Sequence, residues 1–135
     1  MTLVAGLGFR AGCEVSSLQS ALQSALDAAS TTSGQTITLA HLTALATAAD
    51  KAQHPALLQL SAELQVPIHP IALPALAKQP AAPSAHVPAR YGAHSVAESA
   101  ALAAAGPGAT LLGHRSICPD RMATAALAFT ENTFP

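Results

Sequence analysis

The chain opens with an apolar run that ends in glycines and leads directly into a helix-like segment, and this order constrains the fold more than any other feature. Residues 3–8 are apolar on both faces and end in glycine, which is typical of a buried strand. Residues 15–29 carry apolar side chains at three- and four-residue steps, which predicts an amphipathic helix. The polar run at residues 30–34 is expected to stop that helix. A strand followed at once by a helix is the first unit of an α/β fold.

Strand and helix signals continue to alternate after this unit. Helical segments are predicted near residues 39–42, from Pro55 onward and over residues 95–105. Strands are predicted at residues 45–47, 66–71, 109–113 and 123–129. The alternation predicts a three-layer α/β/α sandwich around a mixed, mainly parallel sheet, formed by a single domain over residues 1–135.

Prolines and polar residues mark the connections. Pro67 and Pro70 confine the strand at residues 66–71 to a sheet edge or a strand end, because proline cannot donate to the hydrogen-bond ladder. The polar residues 114–121 are predicted to form a loop. Residues 78–90 have no hydrophobic period and are longer than most connections, so we expect either a mobile flap over a ligand or a passive surface loop.

Composition excludes several functional classes. The 135 residues are 50% hydrophobic and only 10% charged, which is incompatible with a disordered chain. A net charge of −1 without a lysine and arginine cluster argues against a nucleic-acid-binding surface. There is no apolar run long enough to cross a membrane, no signal-peptide pattern, and the two cysteines suit reduced thiols. We therefore expect a soluble cytoplasmic protein whose partners include neither nucleic acid nor a membrane.

Polar and basic residues lie at the carboxyl ends of the predicted strands, where α/β sheets usually bind ligands. These ends carry residues 8–10, residues 47–51 and residues 114–115. A glycine turn before a helix N-terminus presents backbone N–H groups to an anion, and an arginine adds a bidentate partner for a carboxylate or phosphate. The sequence thus predicts an anion-binding site at the first strand–helix junction. The alternative is that the glycines serve only a tight turn.

Other chemistry is indicated less strongly. Residues 6–11 match the G-x-G-x-x-G/A dinucleotide pattern, but Asp27 falls within the first predicted helix rather than after a second strand, so a nucleotide site is only an alternative. Six histidines lack metal-ligand spacing, and we expect neither a metal nor a cofactor. Lys51 is either an anion-binding or acid group or a solvated partner of Asp50, and Glu98 is either a functional acid or a complement to a helix dipole.

Four segments, taken in order, resemble a known family over nearly the whole chain. They are residues 6–13, residues 45–47 with Asp50 and Lys51, residues 91–101, and residues 123–128. Together they are similar to the cobalamin-biosynthesis family that contains CobE and the C-terminal domain of CbiG. The resemblance implies a role in corrin-ring synthesis by the oxygen-dependent route to which CobE belongs.

The resemblance also implies a ligand, a precorrin-type tetrapyrrole with carboxylates around its rim, bound in a cleft at the carboxyl ends of the strands. The residues expected to bind it are Gly6, Gly8, Arg10, Thr47, Lys51, Arg90, Ser95, Glu98 and Arg115. The enzymatic alternative is a hydrolase that opens a lactone or releases an acyl fragment from the same macrocycle, with Lys51 or Glu98 as general acid or base. A precorrin or corrinoid is thus the expected partner, and other enzymes of cobalamin biosynthesis are further candidates.

Overall fold

Strands and helices alternate along the chain in the computed structural model, which describes residues 2–10, 12–72, 96–106, 108–112 and 115–130. The strands are β1 (Thr2–Phe9), β2 (Ala44–Ala48), β3 (Ile68–Ile71), β4 (Thr110–Leu111), β5 (Ser116–Ile117) and β6 (Ala123–Thr130). The helices are α1 (Val15–Ser33), α2 (Pro55–Leu64) and α3 (Val96–Ala105). Single turns of 3₁₀ helix lie at Leu39–His41 and Ala49–Lys51.

The strands form one mixed sheet with helices on both faces. Its order is β3-β2-β1-β6-β4, and β5 also pairs with β6. Neighbouring strands β1, β2 and β3 are parallel, whereas β6 is antiparallel to β1, β4 and β5. Every described strand other than β6 therefore points the same way. The predicted three-layer α/β/α class with a mixed, mainly parallel sheet is confirmed.

The two faces of the sheet are covered by different kinds of side chain. Helices α1 and α2 pack on the face that we call the leucine face. Its fully buried leucines are Leu3, Leu7, Leu18, Leu22, Leu26, Leu45, Leu57, Leu60 and Leu127. Helix α3 packs on the opposite face, the alanine face, whose buried residues are Val4, Ala44, Ala46, Ala48, Ala100, Ala101, Leu102 and Ala128. Because strand side chains alternate between faces, β1 contributes leucines to one face and Val4 and Gly6 to the other.

Helix α1 is longer than predicted. The helix does not end where the polar run of residues 30–34 begins. It continues to Ser33 and ends at Gly34, whose φ of 73° is in the left-handed region. The hydroxyls of Ser30 and Thr31 donate to carbonyl oxygens one turn earlier, at 2.9 and 3.1 Å. These bonds satisfy the hydroxyls inside the helix, so the polar run is compatible with helical structure.

The edge of the sheet beside β6 differs most from the prediction. The expected loop at residues 114–121 contains β5, which pairs with β6 at Ser116 and Ile117. The five-residue strand predicted at residues 109–113 is the two-residue β4, which is partly exposed because it lies at the sheet edge. The predictions for β1, β2, α2, the edge position of β3 and the 3₁₀ turn near residues 39–42 are confirmed.

No helix in the described part of the chain is both long and apolar enough to cross a membrane. The predicted loop at residues 78–90 lies outside the described residues.

Candidate functional site

The carboxyl ends of β1 and β2 meet the start of β6 at one end of the sheet. We call this region the carboxyl edge (residues 9–10, 49–51 and 118–122). Lys51 follows β2, and its ammonium donates a hydrogen bond to the carbonyl oxygen of Phe9 at 2.8 Å. The same nitrogen lies 5.5 Å from the centre of the Phe9 ring, within range of a cation–π contact. Lys51 is therefore held beside the end of β1.

Arg10 is anchored at the same edge. Its backbone N–H donates to the Met122 carbonyl at 2.9 Å, and its Nε donates to the Arg121 carbonyl at 3.3 Å. Among the described residues, none accepts a hydrogen bond from the terminal nitrogens of the Arg10 guanidinium. The structure thus brings together two of the predicted binding residues, Arg10 and Lys51, as exposed or half-buried cations on adjacent strand ends.

An aromatic pair lies beside these cations. The rings of Phe9 and His54 meet edge to face, with centroids 5.0 Å apart and planes inclined by 72°. Nδ1 of His54 accepts a hydrogen bond from the Ala56 N–H at 3.2 Å and so caps α2. Sequence reasoning did not single out His54 for this site. Its place directly before Pro55, a residue favoured at the first position of a helix, was the available signal.

Gly6, Gly8 and Thr47 support the edge from within the fold. A β-carbon on Gly6 would lie 1.9 Å from the Ala97 carbonyl oxygen of α3, so only glycine permits this approach, whereas one on Gly8 would be 3.5 Å from Val96. Thr47 is fully buried, and its hydroxyl donates to the Leu7 carbonyl at 2.7 Å. Gly6 and Thr47 are therefore buried, and they hold α3 and β2 against β1.

The glycines also occupy a different place from those of a dinucleotide-binding turn. Gly6 and Gly8 lie within β1 rather than in the turn before α1, and Asp27 lies within α1. A dinucleotide fingerprint needs its glycines in the strand–helix turn and its acid after the next strand. The geometry does not provide that context, so the match at residues 6–11 is a coincidence of spacing.

The first turn of α1 faces a carboxylate of the protein itself. One oxygen of Asp120 accepts a hydrogen bond from the Ser17 hydroxyl at 2.5 Å. The other accepts from the Cys118 thiol at 2.6 Å and from the Met122 N–H at 3.0 Å. These donors, the thiol foremost, hold the pKa of Asp120 below its ordinary value of 3.8. Asp120 thus lies beside the first turn of α1, near the junction where the sequence predicts a bound anion, and it is held there by two side-chain donors and the Met122 N–H.

Sequence reasoning missed this network because Ser17 and Asp120 are 103 residues apart, and no local pattern joins them. Cys13 lies buried in the same apolar cluster as Cys118, and burial raises the pKa of its thiol to about 11. Within the described ranges, no group of three or more His, Cys, Asp or Glu side chains is arranged to hold a metal ion.

Glu98 of α3 and Arg115, which directly precedes β5, form a separate pair. Glu98 lies in the first turn of α3, as predicted, and is only 6% exposed. Its Oε1 accepts from Nη1 of Arg115 at 3.1 Å, so the carboxylate is bound within the protein. Because Val96 packs over Gly8, the start of α3 lies near the carboxyl edge. The remaining predicted binding residues, Arg90 and Ser95, lie outside the described residues.

This chain is similar in sequence and in structure to known proteins. The family described as Cobalamin synthesis G C-terminus matches residues 3–128. The structure of CobE, a protein from the cobalamin (vitamin B12) biosynthetic pathway, is 36% identical with a TM-score of 0.79, and the match covers 96% of this chain and 91% of CobE. Cobalamin biosynthesis protein chiG from Agrobacterium tumefaciens is 33% identical with a TM-score of 0.65, covering 97% of this chain and all (100%) of that one.

A more distant structure shows the fold alone. A putative cobalamin biosynthesis protein G homolog from Sulfolobus solfataricus is 15% identical with a TM-score of 0.71, and the match covers 97% of this chain but 37% of the homolog. Among curated proteins, none matches this chain significantly. The family match and the two closer structures agree with each other and with the fold. The chain therefore belongs to the Cobalamin synthesis G C-terminus family and is a protein of cobalamin biosynthesis.

Proposed function

We propose that this protein binds a precorrin-type tetrapyrrole at its carboxyl edge. The observation that carries the proposal is the pairing of Arg10 and Lys51 at adjacent strand ends, with the Lys51 ammonium 2.8 Å from the Phe9 carbonyl. Precorrins carry several carboxylates around a flat, largely apolar ring. A ligand of this kind needs cations spaced along an edge and an apolar surface between them.

The carboxyl edge offers both features. Arg10 presents its terminal guanidinium nitrogens, which suit bidentate contact with a carboxylate. The Phe9 and His54 rings provide an aromatic surface next to the cations. Each charge-assisted hydrogen bond contributes about 1.5–3 kcal/mol, so a few such contacts suffice for micromolar affinity. Arg90, Ser95 and the Glu98–Arg115 pair stay part of the proposal as residues toward the start of α3.

We also propose that the protein acts in the oxygen-dependent route of cobalamin synthesis. The support is the resemblance to CobE, which extends over 96% of this chain and 91% of CobE. Other enzymes of the pathway are proposed as protein partners, because an intermediate held at an open edge must be passed on.

One observation favours a catalytic alternative. The Lys51 ammonium is half-buried at the edge and positioned by the Phe9 carbonyl, which suits a general acid acting on a lactone or acyl group of the same macrocycle. Glu98 is less suited to proton transfer, because its carboxylate is 6% exposed and already bound by Arg115. A hydrolase releases product over repeated turnovers, whereas a binding protein does not.

The test is a titration with hydrogenobyrinic acid, a metal-free corrinoid polycarboxylate, followed by absorbance and calorimetry. We expect micromolar binding, weakened about tenfold by Arg10→Ala or Lys51→Ala, which corresponds to about 1.4 kcal/mol each. Gln35→Glu is the matched control, because it makes the same change in net charge at an exposed site after α1, at the other end of the sheet. Failure of the wild-type protein to bind this corrinoid and earlier precorrins alike contradicts the proposal.

The same reagents separate the two activities. With a precorrin lactone in large excess over protein, a binding protein releases no hydrolysis product. Multiple turnovers that disappear in Lys51→Ala establish the hydrolase instead.

A further inference from the structure

Arg121 adopts a backbone conformation that its side chain does not favour. It lies between β5 and β6 with a φ of 61°, in the left-handed region. The β-carbon of an ordinary residue is crowded there, and glycine is the usual occupant. Among the described residues, only Gln65 and Arg121 are non-glycine residues with positive φ, and Gln65 occupies the position after α2 where this conformation is common.

The turn that contains Arg121 is held by its neighbours. The Arg121 N–H donates to the Cys118 carbonyl at 2.9 Å, which closes the turn. Asp120 accepts from Met122, Cys118 and Ser17, which ties the turn to α1. All these bonds are made by the backbone of Arg121 or by other residues. The Arg121 guanidinium therefore does not stabilise the turn, and a glycine at this position could make the same backbone hydrogen bond.

The same turn sets Arg121 beside Arg10. The Arg10 Nε donates to the Arg121 carbonyl at 3.3 Å, and the Arg10 backbone N–H donates to the Met122 carbonyl at 2.9 Å. The side chain of Arg10 is thus bound to the backbone of Arg121, and both arginines are exposed. The acids close in sequence are Asp120, whose oxygens are bound by three donors, and Glu14. Within the described part of the chain, the Arg121 guanidinium makes no hydrogen bond or ion pair. Two neighbouring cations repel each other unless an anion lies between them.

The geometry points to Arg121 as a ligand-binding residue, whose guanidinium forms with Arg10 a two-armed clamp for one carboxylate of the tetrapyrrole. This inference rests on the proposed function and extends it to a residue that the sequence did not indicate. Residues with a strained backbone conformation are often found at binding sites, where the surrounding bonds hold the side chain in the position that the ligand requires. Lys51, on the other side of Arg10, then meets a different carboxylate of the same ring.

The test compares two substitutions that relieve the same backbone conformation. Arg121→Gly removes the guanidinium, and Gln65→Gly relieves the left-handed residue away from the site. We expect Arg121→Gly to weaken hydrogenobyrinic acid binding about tenfold while its Tm stays at or above that of the wild type. Gln65→Gly should leave the Kd unchanged. Arg121→Lys should give an intermediate Kd, because an ammonium keeps the charge but lacks the planar fork.

The outcomes of these measurements distinguish a binding role of Arg121 from a structural one. If the wild type binds and Arg121→Gly binds equally well, the clamp is wrong and the proposed function stands. If Arg121→Gly loses both binding and thermal stability, Arg121 is a structural residue and the clamp is wrong. If the wild type binds no corrinoid, the clamp and the proposed function are both rejected.

Discussion

The leucine face and the alanine face stabilise the same sheet in different ways. On the leucine face, large side chains from α1 and α2 fill the space between helix and strand, and each fully buried leucine contributes about 1.5–3 kcal/mol. On the alanine face, small residues let α3 approach the sheet so closely that Gly6 has no room for a β-carbon. The difference shows that one face supplies most of the apolar stabilisation, whereas the other sets the position of α3 next to the carboxyl edge.

The strongest test of the close approach is Gly6→Ala. The added β-carbon would overlap the Ala97 carbonyl oxygen at 1.9 Å and the Ala101 nitrogen at 2.7 Å, and a helix backbone cannot move aside as a flexible side chain can. We expect a loss of about 4 kcal/mol or more in the free energy of unfolding, at the extreme for one substitution. Gly8→Ala, whose nearest contact is 3.5 Å, should cost less than about 1 kcal/mol in the same urea titration. Equal costs for the two variants contradict the close-approach argument.

The next largest effect should come from removing volume on the leucine face. Leu18→Ala leaves a cavity among fully buried side chains, and we expect a loss of about 3–4 kcal/mol. Leu102→Ala is the matched change on the alanine face, where the residue is 6% exposed and its buried neighbours are alanines. Its loss should be about 2 kcal/mol, at the lower end for such changes. Chemical denaturation of both variants measures the two losses in the free energy of unfolding. If Leu102→Ala costs more than Leu18→Ala, the large buried side chains of the leucine face do not supply most of the stabilisation.

Glu98 on the alanine face and Asp120 beside the leucine face both accept hydrogen bonds from side chains, and the two should respond differently to substitution. Glu98→Ala on the alanine face leaves Arg115 without its carboxylate. Because the Arg115 side chain is 29% exposed and can turn toward water, we expect a loss of about 1–2 kcal/mol rather than the larger cost of a buried unpaired charge. Glu98→Gln, which keeps an acceptor, should cost about half as much in thermal unfolding. Unchanged stability in Glu98→Ala indicates that the pair is not formed in solution.

The stability that Asp120 provides, beside the leucine face, should depend on pH. The pKa of Asp120 is lowered in the folded state, so the unfolded chain binds its proton first as the pH falls. The stability that the carboxylate provides is therefore complete well above its ordinary pKa of 3.8 and is lost below that value. The Tm difference between the wild type and Asp120→Asn should shrink as the pH is lowered from about 6 to about 3. A Tm difference that stays constant across this pH range contradicts a lowered pKa for Asp120 in the folded protein.

Local patterns predicted most of the fold. Residues 3–8 and 15–29 show strong periodicities, and Pro55 and Pro67 mark a helix start and an edge strand, so these elements needed no knowledge of distant contacts. The errors in the predicted fold have different causes. The hydroxyls of α1 bond within the helix, and β5 is a two-residue strand that only its pairing with β6 defines.

The candidate site was less predictable because its parts come from distant segments. Arg10 and Lys51 were found from their places after strands, and the structure brings them together. The role of Gly6 was not predictable, since a glycine looks the same in sequence whether a ligand or a helix approaches it. Asp120 and Arg121 were missed because their partners, Ser17 and Arg10, lie more than 100 residues away, at separations of 103 and 111.

The central pairing of the sheet has a consequence for how the chain folds. Strand β6 pairs with β1 along its whole length, from Thr2 opposite Thr130 to Phe9 opposite Ala123. Contacts between segments so far apart in sequence form slowly, because a long loop must close before any of them is made. Until β6 arrives, one side of β1 displays unpaired backbone groups next to exposed apolar side chains, which favours association between partly folded molecules. The yield of native protein therefore depends on how quickly β6 finds its place between β1 and β4.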